Sequence, residues 1–230
     1  DADIRVPDKI EGAILFNVKT HKMAIRQRLR LLPCVRIMET ENNIENDFFD
    51  QIIYDDNLVG KLAAEYLMGK GGKNMALIDG CCEAAWERRR CESFIATVEA
   101  GGGTVRRISQ PGLMIENTTQ CIDHIKMGKV IETMQKWRPR PDAVFMTVDL
   151  YVFVFYHMAR HYGFSPGKNI EVIGCNNDSI FLNNLSPRPA SVDIHPEKIG
   201  QLAVRQLLWR IKNPKEKQVI IPVVPEIAFQ

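Results

Sequence analysis

The sequence contains no apolar run approaching the roughly 18 residues that cross a membrane. Its first residues, Asp1–Arg5, lack the basic and apolar regions of a secretory signal. We therefore expect a soluble protein that does not bind a membrane. Six cysteines are present, but none has a partner at the Cys-x-x-Cys spacing of redox and zinc sites. Free thiols of this kind are typical of a reducing compartment, and we expect a cytoplasmic protein.

Motifs of catalysis and metal binding are missing as well. There is no Walker loop, no Gly-x-Gly-x-x-Gly and no Gly-x-Ser-x-Gly. His157 and His161 have a spacing that could hold zinc, but no third ligand of matching spacing accompanies them, which favours a surface or packing role. Cys81 and Cys82 would need a positioned base to act as nucleophiles, and the sequence shows none. We therefore expect no enzymatic activity, no metal and no cofactor.

Excess charge is also lacking, because 30 basic and 28 acidic residues leave a formal net charge of +2. The basic residues are scattered, apart from short clusters such as Arg88–Arg90. This balance does not make an extended DNA-binding surface by itself.

What the sequence does contain is an alternation of short β-branched runs with amphipathic helical periods, which is typical of βαβ units in parallel sheets. The runs are mostly apolar throughout, as strands covered on both faces should be. Strands are predicted at residues 12–16, 34–37, 75–78, 105–108, 143–146, 171–173 and 190–194. Helices are predicted at residues 56–69, 84–100, 119–137, 150–162 and 196–211, and residues 39–50 are interpreted as a surface loop.

Seven segments carry more specific motifs. They are residues 9–16 (KIEGAILF), 32–35 (LPCV), 54–63 (YDDNLVGKLA), 72–80 (GKNMALIDG), 87–94 (ERRRCESF), 141–149 (PDAVFMTVD) and 163–174 (GFSPGKNIEVIG). In order and spacing these segments resemble the effector-binding module of LacI/GalR-type transcription regulators. The resemblance covers nearly the whole chain. It implies an α/β fold of the periplasmic binding protein-like type I, with two Rossmann-like lobes and a small effector, expected to be a sugar, in the cleft between them.

The resemblance also implies what surrounds the module. The family's helix-turn-helix headpiece and the first βαβα stretch expected before Ile10 have no counterpart, so we expect an incomplete N-terminal lobe. Operator DNA would be bound through a headpiece absent from this chain, in a homodimer. The lobes are predicted at residues 1–53 with 195–215 and at residues 54–194 with 216–230.

Five residues are candidates for ligand binding: Arg90, Asn176, Trp86, Asp149 and Tyr151. Arg90 occupies the position of the family's effector-contacting arginine. The helix dipole disfavours a cation near the start of a helix, so an arginine there is better explained by ligand binding than by exposure to solvent. Trp86 lies one turn earlier, where it could stack on a sugar or fill a core. Asn176 stands where the family usually has an aspartate, and an amide can both donate and accept.

The sequence leaves alternatives for the other residues and for the function. Asp149 follows a strand end and could contact ligand or cap the next helix, whereas Tyr151 carries the weakest signal. Arg88 and Arg89 are interpreted as surface residues, and Asp55 as a hinge or capping residue. The main alternative function is a periplasmic sugar-binding protein of a transport system, and the second is an α/β enzyme whose catalytic residues the sequence does not reveal.

Overall fold

The computed structural model describes residues 9–16, 27, 29–37, 48–80, 84–113 and 123–228. The chain divides into two compact units. Unit 1 comprises Asp1–Asp55 with His195–Val224, and unit 2 comprises Asp56–Ile194 with Pro225–Gln230. None of the helices in these described ranges is long and apolar enough to cross a membrane.

The described strands alternate with helices, as the sequence predicts. The strands are β1 (Ala13–Phe16), β2 (Cys34–Ile37), β3 (Asp50–Tyr54), β4 (Asn74–Asp79), β5 (Thr104–Ser109), β6 (Ala143–Met146), β7 (Glu171–Cys175), β8 (Ala190–Asp193), β9 (Ile220–Val223) and β10 (Glu226–Ala228). The helices are α1 (Asp56–Gly69), α2 (Ala85–Ala100), α3 (His124–Lys136), α4 (Asp149–Ala159), α5 (Ser179–Leu182) and α6 (Pro196–Lys212), and a 3-10 turn at Arg160–Tyr162 follows α4.

Unit 2 contains a six-stranded sheet in the order β10-β8-β7-β6-β4-β5, in which β10 is antiparallel to β8 and the other pairs are parallel. One face, which includes Ala76 and Val144, packs into a core with α3 and α4. The opposite face carries Phe145, whose ring lies 4.9 Å from that of Phe94 on α2. Helices therefore cover both faces, which explains why these strands are continuous apolar runs and confirms the predicted α/β class.

Unit 1 contains a parallel sheet in the order β1-β2-β3-β9. Helix α6 covers one face, where Ile199 and Ala203 pack against Val35 and Ile52. Pro196 starts this helix, a position that suits a residue without an N–H donor. In the described residues β1 forms one edge of the sheet and β9 the other.

Three predicted boundaries need correction. Residues 216–224 belong to unit 1 rather than to the second lobe, because β9 pairs with β3. Tyr54 and Asp55 also belong to unit 1, since Tyr54 ends β3. Asp50 begins this strand rather than ending a loop. Residues 39–47 of the predicted loop and residues 119–122 of a predicted helix lie outside the described residues.

A buried ion pair joins β3 to α6. Arg210 donates to both oxygens of Asp50, through Nε to Oδ2 at 2.8 Å and through Nη2 to Oδ1 at 2.6 Å. Gln206 Nε2 and the Val219 amide donate to the same carboxylate at 2.7 and 3.0 Å. Burial raises the pKa of Asp50, but the hydrogen bonds from Arg210, Gln206 and Val219 outweigh it and hold the pKa below its ordinary value.

Asp50→Asn should destabilise unit 1 by about 3–5 kcal/mol at neutral pH, because it leaves the Arg210 charge buried without its counter-charge. Since the folded-state pKa is depressed, the stabilisation is present above the pKa of an unfolded aspartate and is lost as the pH falls through the folded value. Hydrogen-exchange mass spectrometry of peptides covering residues 196–223 measures the loss. Glu216→Gln, at an exposed residue, is the matched control, and equal protection in both variants contradicts the role assigned to the pair.

Candidate functional site

The buried polar side chains of unit 2 gather at one end of its sheet. They are Asp56, Asp79, Glu87, Arg90, Thr147, Asp149 and Ser191, here called the carboxyl-edge cluster. Each lies near the carboxyl end of a strand or in the first turns of a helix that starts at that edge. In open parallel sheets this edge is where ligands bind.

Arg90 lies at the centre of this cluster and is 1% exposed. Its Nε donates to Asp56 Oδ1 at 2.9 Å, and its Nη1 donates to the Thr147 carbonyl oxygen at 2.8 Å. Arg89 Nη2 donates to the other oxygen of Asp56 at 3.3 Å. Burial raises the pKa of Asp56, and the charges of Arg90 and Arg89 offset part of that rise. The guanidinium of Arg90 is therefore fixed in orientation by groups from α1 and from the residues after β6.

Close packing of α1 on α2 makes this ion pair possible. Gly60 lies one turn after Asp56 on α1, and a Cβ built on it would stand 2.1 Å from the carbonyl oxygen of Arg90. Only a residue without a side chain fits at that distance. The sequence thus places an acid and a glycine one turn apart on the face of α1 that meets α2.

Glu87 lies one turn before Arg90 on α2 and is also buried. Its Oε1 accepts a hydrogen bond from the Gly80 amide at 3.2 Å and a short one from the Thr147 hydroxyl. Thr147 therefore contacts both buried residues, Arg90 through its carbonyl oxygen and Glu87 through its hydroxyl. These bonds tie the ends of β4 and β6 to the start of α2.

Asp149 supports the loop that follows β7. Its Oδ2 accepts from the Asp178 amide at 2.8 Å, and its Oδ1 accepts from the Ser191 hydroxyl at 2.8 Å. Gly174 makes room for it, because a Cβ there would lie 2.1 Å from Asp149 Oδ1. Burial raises the pKa of Asp149 to about 8, against the lowering effect of the hydrogen bonds from Asp178 and Ser191.

The supported loop holds Asn176 in an unusual backbone conformation. Asn176 has φ 105° and Asn177 has φ 53°, values that L residues other than asparagine and aspartate seldom adopt. The Asn176 amide donates to the Val192 carbonyl at 2.9 Å, and Asn177 Nδ2 donates to Asp193 Oδ2 at 2.9 Å. Asn176 is half-buried and directly follows β7, so it lies at the carboxyl edge of the sheet.

The two aromatic candidates have different environments. The half-buried Trp86 ring lies beneath the Arg90 guanidinium, with 4.7 Å between its centroid and Cζ, a cation–π geometry. Tyr151 is 2% exposed and belongs to the core of unit 2. Its hydroxyl would stand 1.9 Å from a Cβ at position 80, so Gly80 is required beside it.

All the sequence candidates fall in unit 2, and Arg90 and Asp149 share one region, since Arg90 bonds the carbonyl oxygen of Thr147, two residues before Asp149. Asp149 does not cap its own helix, because Val148 is the N-cap residue and makes no side-chain capping bond. The Arg89 side chain keeps 27% of its surface exposed, and its Nη2 also pairs with Asp56 Oδ2 at 3.3 Å.

Sequence reasoning missed Asp56, Glu87 and Thr147, which hold Arg90 or its neighbours in place. The available signal was the helical spacing: residues 87 and 90 share a face of α2, and residues 56 and 60 share a face of α1. Among the described residues, no group of three histidine, cysteine, aspartate or glutamate side chains could hold a metal ion.

The raised pKa of Asp149 predicts a specific pH dependence. Between about pH 4 and pH 8 the folded state holds a proton that an unfolded aspartate has released, so the free energy of unfolding falls as the pH rises through this window. Asp149→Asn should flatten this dependence by up to about 1.4 kcal/mol per pH unit. Urea unfolding followed by tryptophan fluorescence, in a Trp209→Phe background that leaves only Trp86 and Trp137 of unit 2, measures it.

Glu99→Gln, at an exposed residue of α2, is the control and should retain the slope of the parent. A slope in Asp149→Asn equal to that of the control would show that Asp149 titrates at its ordinary pKa.

Comparison with known proteins places this geometry in a family. The family model described as "Periplasmic binding protein-like domain" matches residues 64–228. Curated relatives include the HTH-type transcriptional repressor PurR of Proteus mirabilis, 26% identical over 225 residues that cover 96% of this chain and 62% of the relative. The ribose operon repressor of Escherichia coli is 25% identical over 224 residues, covering 94% and 63%. The chain thus spans somewhat less than two thirds of the length of these relatives.

Solved structures have the same fold. A LacI family transcriptional regulator from Enterococcus faecium with bound ribose has a TM-score of 0.79 at 17% identity and covers 96% of this chain and 78% of its own. The transcriptional regulator CelR in complex with cellobiose has a TM-score of 0.76 at 16% identity, covering 96% and 65%. The resemblance to LacI/GalR-type regulators is confirmed by these relatives, which are repressors rather than enzymes. Since the family match covers most of its length, this chain belongs to the periplasmic binding protein-like domain family.

Proposed function

We propose that this chain is the effector-binding part of a LacI/GalR-type transcription regulator, that it catalyses no reaction, and that its effector is a sugar bound at the carboxyl edge of the unit 2 sheet. The observation that carries the proposal is the fixed Arg90 guanidinium within the carboxyl-edge cluster. The repressor names of the curated relatives favour regulation over the alternative of a transport binding protein. Bound ribose and cellobiose in neighbouring structures favour a sugar.

The geometry suits recognition of hydroxyl groups. A guanidinium offers several N–H donors in a rigid fork, and the Asp56 carboxylate orients that fork before any ligand arrives. Asn176 adds an amide that both donates and accepts, at the carboxyl edge of the sheet. The Trp86 ring adds an apolar surface of the kind that packs against the C–H face of a sugar.

Most of these groups are already held by protein contacts, so little conformational freedom remains to be lost on binding. Asp149 fixes the loop that carries Asn176, and Thr147 fixes Arg90 and Glu87 together. A preorganised site loses less free energy in ordering its own side chains when it binds ligand. Rigid support of this kind is what a selective small-molecule site requires.

The proposal also concerns how the whole regulator assembles and binds DNA. We propose a cytoplasmic homodimer that binds operator DNA through a headpiece outside the sequence. The effector alters DNA binding only if it has different affinities for the two states of the regulator. Sedimentation velocity of the chain tests the dimer, and a monomer at all concentrations contradicts that part of the proposal.

A thermal-shift screen tests the ligand class. Ribose, cellobiose and other sugars are compared with hypoxanthine and amino acids, because a ligand present at about 100 times its dissociation constant stabilises the fold by about 2.7 kcal/mol. A sugar should raise the melting temperature. If purines or amino acids alone raise it, the sugar assignment is wrong.

The site itself is tested by Asn176→Gly with the sugar found in the screen, because glycine adopts the positive φ of Asn176 without strain. Loss of a hydrogen bond to the ligand should weaken binding by about tenfold, measured by isothermal titration calorimetry. Asn183→Gly, at an exposed residue in the same unit, is the matched control. Equal affinities in the two variants place the ligand elsewhere.

A further inference from the structure

A second candidate site lies at the opposite end of the unit 2 sheet. The turn from α3 into β6 enters the sheet at the amino ends of its strands, whereas the carboxyl-edge cluster lies at their carboxyl ends. A cavity of about 300 Å³ is found at this turn. It is lined by Gln135, Lys136, Arg138 and Arg140, and we call it the basic cavity.

The arginines of the basic cavity are held by neutral groups. Arg138 Nη1 donates to the carbonyl oxygens of Gln135 at 3.1 Å and Trp137 at 2.8 Å. Arg140 Nη2 donates to the Tyr162 carbonyl at 2.9 Å, and its guanidinium lies over the Phe164 ring at 4.5 Å. These contacts fix each guanidinium in place without neutralising its charge.

Arg106 on β5 reinforces the positive charge of this region. Its guanidinium lies 4.3 Å from the centroid of the Trp137 ring, and its Nη2 donates to the Pro139 carbonyl. Arg106, Arg138 and Arg140 make no ion pair with a carboxylate of the described residues. Three arginines packed around one turn thus carry charge that the described part of the protein does not balance.

Two carboxylates stand nearby in sequence, and both have other partners. Glu132 pairs with Lys136, with 2.7 Å between Oε1 and Nζ, on an exposed helix surface. Asp142 accepts from the backbone amides of Lys73 and Asn74 at 3.0 to 3.2 Å, which turns its carboxylate toward the start of β4. Within the described part of the chain, Lys136 is therefore the one lining cation that has a counter-charge.

Helix capping accounts for part of this arrangement. Cations are favourable at a helix carboxyl end, and Arg138 bonds a carbonyl in the last turn of α3. The same argument extends to Arg140, which bonds the carbonyl of Tyr162 at the end of the 3-10 turn that follows α4, but not to Arg106, which lies on a strand. Arg138 and Arg140 both line the basic cavity, and like charges that face one cavity repel one another unless an anion lies among them.

We propose that the basic cavity binds a small multivalent oxyanion, carrying phosphate or carboxylate groups. Guanidinium groups match the geometry of both oxyanions and bind them through paired N–H donors. A volume of about 300 Å³ is at the lower end of small-molecule pockets, which suits a small anion, and the lining cations Lys136, Arg138 and Arg140 are exposed to it. This site stands apart from the proposed sugar site and does not depend on it.

Isothermal titration calorimetry of the chain tests the proposal, with pyrophosphate and citrate as probes. Both titrations are run against sodium chloride at matched ionic strength. Saturable binding of pyrophosphate assigns phosphate chemistry, and saturable binding of citrate alone assigns carboxylate chemistry. A response no greater than that of sodium chloride overturns the proposal.

Arg138→Gln/Arg140→Gln should weaken anion binding by at least about tenfold, since each charged hydrogen bond contributes more than a neutral one. Arg205→Gln, at an exposed arginine of α6 in unit 1, is the matched control and should bind as the parent does. Unchanged affinity in the double variant overturns the proposal. Melting temperatures in sodium chloride check that the variants fold. If the double variant does not fold, Arg106→Gln provides a second test of anion binding.

Discussion

The carboxyl edge of unit 2 depends on one buried ion pair, between Arg90 and Asp56. A guanidinium that is 1% exposed cannot remain charged in a protein interior without a counter-charge and hydrogen bonds. Asp56 supplies the charge from α1 and Thr147 supplies a carbonyl from the residues after β6. Gly60 lets the two helices approach closely enough for the contact to form. The orientation of the Arg90 guanidinium therefore depends on the close packing of α1 on α2.

The two polar supports at this edge work in different ways. Arg90 is held by opposite charge, whereas Asp149 is buried, carries a raised pKa, and holds the next loop through hydrogen bonds from Asp178 and Ser191. Both rely on a glycine where a Cβ would collide, Gly60 in one case and Gly174 in the other. Close backbone approach therefore sets the geometry of the edge as much as the polar side chains do.

Most of the fold could be predicted from the sequence because strands covered on both faces are apolar throughout and stand out between helical periods. β3 was missed because it begins with Asp50, a carboxylate that a strand core tolerates only through Arg210, far away in the sequence. The membership of β9 in unit 1 depends on pairing with β3, which local sequence does not reveal.

The candidate site was predicted less completely. Arg90 and Asn176 were selected through family position and strand ends. Arg90 lies in the first turns of α2 and Asn176 directly follows β7, so both are at the carboxyl edge, and their contact with a ligand stays a prediction. Asp56 and Glu87 were missed because an acid in the first turn of a helix is also what the helix dipole favours at a solvated surface. Only tertiary packing distinguishes the two situations. The ion pair between Arg90 and Asp56 therefore could not be predicted from local sequence patterns.

A double-mutant cycle on Asp56 and Arg90 tests the central claim most directly. Urea unfolding is measured for the parent, for Asp56→Asn, for Arg90→Met and for the double variant. If the pair organises the edge, each single variant should lose about 3–5 kcal/mol. The double variant should then lose less than their sum, by about 1–3 kcal/mol. Additive losses would contradict the account, because they would show that the two side chains do not stabilise one another.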